Sequence, residues 1–174
     1  MVLKIISILI LILFSIGMIY YYLPDKPIPP GLTIDLIIVN KSKRELLVFS
    51  NGKEIKAYPI SLGDNPVGAK EKKDDEKTPE GQYFINSKAD VGQSKFYRNL
   101  GISYPQNKDK INAEKHRYNP GGDIKIHGLK NGLGFIGKFH RWKDWTDGCI
   151  AVSNEEMDDL FNHISVGTPI IIKP

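Results

Sequence analysis

Thr146-Asp147-Gly148-Cys149-Ile150-Ala151-Val152-Ser153 is the stretch from which the rest of the chain can be read. A polar turn carrying a glycine delivers the chain's single cysteine. Cys149 to Val152 then reads as a short strand with Ile150 and Val152 turned inward. Ser153 opens a helix, because Ser153 and Glu156 match the capping box in which each side chain satisfies the other's orphan N–H. Met157, Leu160, Phe161 and Ile164 follow at i, i+3, i+4, i+7, a single apolar stripe that belongs on a core. A thiol at the mouth of a strand, followed at once by a capped helix, predicts a mixed domain with the cysteine at a sheet end.

Upstream the chain reads mainly as strands. Thr33 to Val39 is rich in β-branched residues, and Glu45 to Ser50 and Lys53 to Ile60 flank Asn51-Gly52, a type I′ hairpin signal. Lys70 to Lys77 is a solvated charge run. Thr78-Pro79-Glu80-Gly81 has the residues of a type I turn and leads into a strand over Gln82 to Asn86. Asn107 to Arg117 is expected to form a short helix, and Asn119 to Gly122 a loop. In Asp123 to His127 the alternation puts Ile124 and Ile126 on one face, Lys125 and His127 on the other. Gly167-Thr168-Pro169 ends the late helical region before a closing strand, Ile170 to Ile172. The fold class is therefore α+β, mainly β, with a helix after Cys149.

Ile5 to Leu23 gives 19 consecutive uncharged, mostly apolar positions. As a helix they reach roughly 29 Å, close to the hydrocarbon thickness of a bilayer. Tyr20, Tyr21 and Tyr22 sit at one end, where amphipathic rings favour the interface. A cleaved signal needs a shorter apolar core and small residues at a cleavage site, and Tyr21 to Pro27 offers none. We therefore expect a transmembrane anchor over residues 1–24, with residues 5–23 in the membrane. A proline-rich linker over 25–32 and a soluble domain over 33–174 should follow. The slight cationic bias of Lys4 places the N-terminus in the cytoplasm and the domain on the other side of a single-pass cytoplasmic membrane protein.

Composition removes several classes. Apolar residues are 41% of the 174-residue chain, yet mean hydropathy is −0.27, so beyond the anchor the chain is polar and multi-span transport is excluded. The net charge of +4 is scattered and supplies no basic stripe for nucleic acid. One cysteine cannot close a disulfide within the chain or build a thiolate-rich metal site. A zinc reading would draw on His127, His140, Cys149 and Asp147, but these lack the short paired spacing of zinc ligands. No metal or other cofactor is expected.

An odd thiol outside the cytoplasm is a liability unless it has chemistry to perform. The bland alternative is a buried, inert cysteine acting as a small hydrophobe. A nucleophilic thiol needs a base, and an activated one is expected to titrate below the free-thiol value of about 8.5. His127, ending a strand before Gly128, is the candidate base. His163 near a helix end reads as structural, His116 falls in the short helix, and His140 beside Trp142 and Trp145 is a pocket-lining candidate. The two tryptophans read equally well as a mobile lid or a packed corner. Backbone N–H groups around Gly148 and Cys149 are candidates for an oxyanion hole.

Ile126-His127-Gly128, a gap, and Thr146-Asp147-Gly148-Cys149 together resemble the L,D-transpeptidase catalytic domain (YkuD-type) of bacterial cell-wall enzymes. Ser61-Leu62-Gly63 and Thr78-Pro79-Glu80-Gly81-Gln82-Tyr83 are similar to upstream segments of that family. The resemblance spans Ile34 to Lys173. It implies Cys149 as nucleophile, His127 as base and the Gly128 carbonyl as the group that orients the imidazole. The implied substrate is a peptidoglycan stem peptide, cleaved after the L-centre of its third residue. A thioester would then be transferred to an amine, such as a second stem or an envelope lipoprotein lysine.

Two departures stand out. Asp147 replaces the histidine of many members, and Ala151 replaces the arginine that many carry two residues after the cysteine. Arg141 and Lys143 are the sequence-near candidates for that missing cation, and Thr146, Asp147, Gly148 and Tyr104 complete the expected substrate contacts. Gly-Cys-Ile-Ala also resembles a subgroup that includes hydrolases, in which water resolves the acyl-enzyme. Sortases share an anchor and a His-before-Cys order but need an arginine after the cysteine. An anchored cell-wall binding module without turnover is the non-enzymatic alternative, and it would need neither His127 nor Cys149.

Overall fold

The computed structural model describes residues 2–174, so the first residue of the anchor segment lies outside it. Three α-helices are present among the described residues: α1 Val2–Tyr22, α2 Asn107–Lys115 and α3 Asn154–His163. The strands are β1 Leu36–Asn40, β2 Glu45–Ser50, β3 Lys53–Pro59, β4 Gly81–Ala89, β5 Asn99–Ile102, β6 Lys125–His127, β7 Ile150–Ala151 and β8 Pro169–Lys173. They join in one sheet in the order β3-β2-β1-β8-β4-β5-β6-β7. A 3₁₀ segment, Gly134–Trp142, kinks at Gly137.

The first three strands pair antiparallel as expected, and Asn51 and Gly52 both take the positive φ that a type I′ turn requires. Strand β8 lies parallel to β1 and antiparallel to β4, so the C-terminal residues close the sheet's centre. Strand β5 was not foreseen, and β4 extends three residues past the expected strand. Ile37, Val39, Leu46, Val48, Ile85, Leu100, Ile126, Ile150 and Ile170 fill the core. Fully burying each such side chain is worth about 1.5–3 kcal/mol.

Helix α3 carries the expected cap: Ser153 Oγ accepts from the Glu156 N–H at 3.3 Å, and Glu156 Oε2 accepts from the Ser153 N–H at 3.0 Å. Its Met157 and Leu160 are buried and the helix packs on β5. Cys149 thus lies just before a buried strand that leads directly into this capped helix.

Packing starts earlier than residue 33. Ile28, inside the expected linker, is only 2% exposed and its N–H donates to Asp159 Oδ1 at 2.9 Å. The other oxygen of Asp159 accepts from Lys56 Nζ and from the Tyr58 hydroxyl, both at 2.7 Å. One buried carboxylate thus ties the linker, β3 and α3 together. Its partners hold it well below the usual carboxylate range despite the opposing effect of burial. Asp159→Ala strands all three donors, and it is expected to cost about 3–5 kcal/mol in a urea titration.

Helix α1 buries none of its residues in the domain and is long and apolar enough to cross a membrane, with a mean hydropathy of 2.8.

Candidate active site

His127 ends β6 fully buried. Its Nδ1 lies 2.7 Å from the Gly128 carbonyl oxygen, an acceptor only, so the ring proton sits on Nδ1. That leaves a bare lone pair on Nε2, which is buried without a hydrogen-bond partner. Phe96 stacks on the imidazole at 3.8 Å between centroids, and Trp145 meets it edge-on at 5.7 Å. The ring is therefore fixed in plane, tautomer and position before any substrate arrives.

Cys149 immediately precedes β7, which runs parallel to β6 with His127 opposite Ala151. Side chains two apart on a strand share a face, so Cys149 and His127 are diagonal neighbours on one face. Gly63 pairs with Thr146, Ser61 pairs with Ala151, and the Thr78 hydroxyl donates to the Gly148 carbonyl at 2.9 Å. The upstream Leu-Gly and Thr-Pro segments are thus the clamps of the cysteine loop. Gly148 has φ +118°, and a Cβ there would stand 2.5 Å from the Lys77 carbonyl oxygen. Gly148→Ala is expected to lose about 1–3 kcal/mol of stability and to lower kcat by displacing Cys149, measured by thermal melts and initial rates.

The Gly148 N–H is already engaged by Thr146 Oγ1 at 3.2 Å, and Thr146 Oγ1 in turn donates to the Cys149 carbonyl at 2.7 Å. Of the two expected oxyanion donors this leaves the Cys149 N–H better placed.

Cys149 and His127 both line a cleft of about 400 Å³, together with Thr146, Asp147 and Trp145. Three expected contacts are elsewhere. Arg141 is locked to Glu156 by an ion pair of 2.5 Å with both side chains largely buried, because its segment turns toward α3 and away from the cleft. Tyr104 is a core residue, 5% exposed, whose hydroxyl donates to the Pro120 carbonyl. Lys143 is exposed and pairs with Asp64 at 3.3 Å. Nearness in sequence to Cys149 did not translate into nearness in space.

The cations that do line the cleft are Lys95, Lys125 and Lys130. The alternation of residues 123–127 had already put Lys125 on the face of His127, but Lys95, Phe96 and Lys130 lie outside the motifs. His140 is buried beneath the cleft, 3.2 Å from the Ser61 hydroxyl, and borders a separate apolar hollow behind Trp145. His116 and His163 are bonded to helix carbonyls, as structural residues would be. The tryptophans part ways: Trp145 packs on the site, whereas Trp142 is 80% exposed.

Burial pushes the His127 imidazole down to about 4, aided by Lys125 and Lys95 and opposed by the Gly128 carbonyl. Burial pushes the Cys149 thiol up to about 11, with Asp123 and Asp147 reinforcing it and the Lys125 N–H and ammonium opposing. This direction is opposite to the depressed value expected of an activated thiol and counts against a resting thiolate. Near neutral pH the pair rests as thiol and neutral imidazole, because isolated charges at this depth are costly. Cys149 Sγ donates to the Asp123 carbonyl at 3.6 Å while His127 Nε2 has no partner, so at rest the thiol proton is not shared with the imidazole.

The YkuD family model, the L,D-transpeptidase catalytic domain, matches residues 34–172. YqjB of Bacillus subtilis (strain 168), whose name places it among the L,D-transpeptidases, is 29% identical over 153 residues, covering 86% of this chain and 76% of its own. YafK of Escherichia coli (strain K12) is 23% identical over 76% of this chain and 43% of its own. Among solved structures, Bd1075 of Bdellovibrio bacteriovorus is similar with a TM-score of 0.58 at 27% identity, covering 84% of this chain. The helical cell shape determining protein Pgp2 of Campylobacter jejuni shares the fold with a TM-score of 0.62 at 22% identity and 86% coverage. The chain spans about half the length of each of these two solved chains, 50% and 52%.

Proposed function

The chain belongs to the L,D-transpeptidase catalytic domain family of peptidoglycan-modifying enzymes, and from that premise we propose that it is a cysteine acyltransferase acting on stem peptides. The observation that carries this reading is the buried, unpartnered Nε2 of His127 in the same cleft as the chain's one thiol. Pure binding would need neither group, and of the buried nitrogens left without a partner, which include His140 Nε2, that of His127 belongs to a residue sharing the cleft with the thiol.

In this reading the Cys149 sulfur attacks the carbonyl at the L-centre of the third stem residue while His127 Nε2 accepts the thiol proton. The Cys149 N–H stabilises the developing oxyanion. Collapse breaks the amide, and the imidazolium returns its proton to the departing D-alanine amine. An amine from a second stem or an envelope lipoprotein lysine then attacks the thioester and regenerates the thiol. Lys95, Lys125 and Lys130 supply the positive field for the stem's carboxylates that Ala151 cannot. Helix α1 anchors the enzyme in the cytoplasmic membrane with the catalytic domain outside the cytoplasm.

The test is to incubate the full chain in detergent with purified disaccharide-tetrapeptide and weigh the products. Cross-linked dimer is expected. A bare tripeptide alone would replace transfer by hydrolysis through the same thioester. Neither product, with no acyl adduct on the protein, overturns the catalytic reading.

A further inference from the structure

Three large side chains on the 3₁₀ segment Gly134–Trp142 and its approach face solvent: Leu133 at 40%, Phe135 at 72% and Trp142 at 80% exposure. Elsewhere on the domain, exposed large apolar residues such as Val67, Phe84 and Val166 occur singly on separate elements, which is ordinary for a surface. Three on one short segment is a patch that needs a partner.

The segment is fastened to the end of α1. The Tyr21 hydroxyl donates to the Phe135 carbonyl at 2.7 Å, and the Tyr21 ring stacks on Phe139 at 5.4 Å. Gly137 lets that ring close in: its φ is +49°, and a Cβ would lie 2.7 Å from the Tyr21 ring. Buried Lys138 donates to the Leu23 carbonyl, an orphan acceptor at the end of α1, and pairs with Asp25 at 2.9 Å. Phe139 also reaches down α1 as far as Gly17. Gly17 lies five residues before Tyr22, about 7–8 Å along the helix axis. That depth matches the roughly 5–10 Å to which interfacial apolar groups enter a bilayer. Phe139 stands 4.9 Å from Trp142, so the exposed patch continues the aromatic end of α1 without a break.

We propose that Gly134–Trp142 is a membrane-seated lip whose Phe135, Phe139 and Trp142 lie in the interfacial layer of the bilayer beside α1, fixing the tilt of the catalytic domain on the lipid surface. The inference rests on the reading of α1 as a membrane anchor. The lip is continuous with the site: His140 on the same segment contacts Ser61, and Ser61 pairs with Ala151 beside the catalytic strand. Seating the lip therefore sets the height and direction of the cleft relative to the membrane.

The full chain is reconstituted into phosphatidylglycerol–phosphatidylethanolamine vesicles, with bromine placed either near the headgroup end or near the methyl end of the acyl chains. Vesicle flotation and tryptophan emission are read together for the wild type, Trp142→Phe and Phe135→Asp. Every chain is expected to float. Shallow bromine should quench the wild type, the quenching should vanish in Trp142→Phe, where only Trp145 emits, and it should weaken in Phe135→Asp. Deep bromine should quench none of them. A chain that floats while the wild type is quenched no more than Trp142→Phe overturns the lip and leaves the anchor standing. A chain that does not float overturns the anchor and the lip with it.

Discussion

Cys149→Ala is expected to fold like the wild type and to release no product, and His127→Gln to retain the fold while losing about 10²–10⁴-fold in turnover. The two losses separate the two roles. Alanine leaves no atom that can form the thioester, so no acyl adduct should appear in the intact mass. Glutamine fills much of the imidazole's space beneath Phe96 but offers no lone pair basic enough to take the thiol proton. It should still form adduct, slowly, and faster as pH rises toward the thiol's own ionisation. Because the thiol is held up at about 11 and the imidazole down at about 4, the free enzyme should show alkylation by iodoacetamide that climbs steadily through neutral and alkaline pH. A plateau near neutrality would mean a preformed thiolate–imidazolium pair and would sink the concerted proton transfer. A binding module's thiol would show the same climb in alkylation but would form no acyl adduct with stem peptide, and Cys149→Ala would leave its wall binding untouched.

What the sequence disclosed follows from how local the deciding physics is. The cap of α3, the Asn51-Gly52 turn and the alternation around His127 are each settled by residues a few positions apart, and each appears where expected. The His-Gly and Gly-Cys motifs are short for the same reason: one sets a tautomer through the next carbonyl, the other a left-handed turn. What was not legible depends on distant partners. Strand β5 is four residues with every position buried, so it has no alternation to read. Phe96 lies in a loop and matters only because the sheet brings His127 beneath it. Ile28 joined the core through a carboxylate 131 residues away. Arg141 was assigned to the cleft from its distance along the chain, and the kink at Gly137 helps turn its segment elsewhere. The cations that line the cleft, Lys95, Lys125 and Lys130, come from three separate segments, a set that no single window contains.

Acidification from pH 7 toward pH 4 should cost the domain a large part of its stability, and two buried histidines are the cause. Burial holds both His127 and His140 down at about 4, with the Arg141 charge adding to the effect on His140. In the unfolded chain each would titrate near 6.5. Between those values the unfolded state binds more protons than the folded one, so stability falls as pH drops through 6.5 toward 4. Each histidine alone corresponds to roughly 3 kcal/mol over that window. The two sites lie close enough to interact, so about 6 kcal/mol is an upper bound for the pair, against the 5–15 kcal/mol that holds a typical domain together. Below that window Asp159 and Asp75, both held under the usual carboxylate range by their partners, add further losses. Urea midpoints of the full chain in detergent, taken at intervals from pH 7 to pH 4, should therefore drop steeply. His140→Gln keeps a polar group beside Ser61 without a titrating ring, and it should recover about half of the drop. A midpoint that stays level across the window would mean that both rings take up protons as readily in the folded state as in the unfolded chain, and burial would not be what sets their titration.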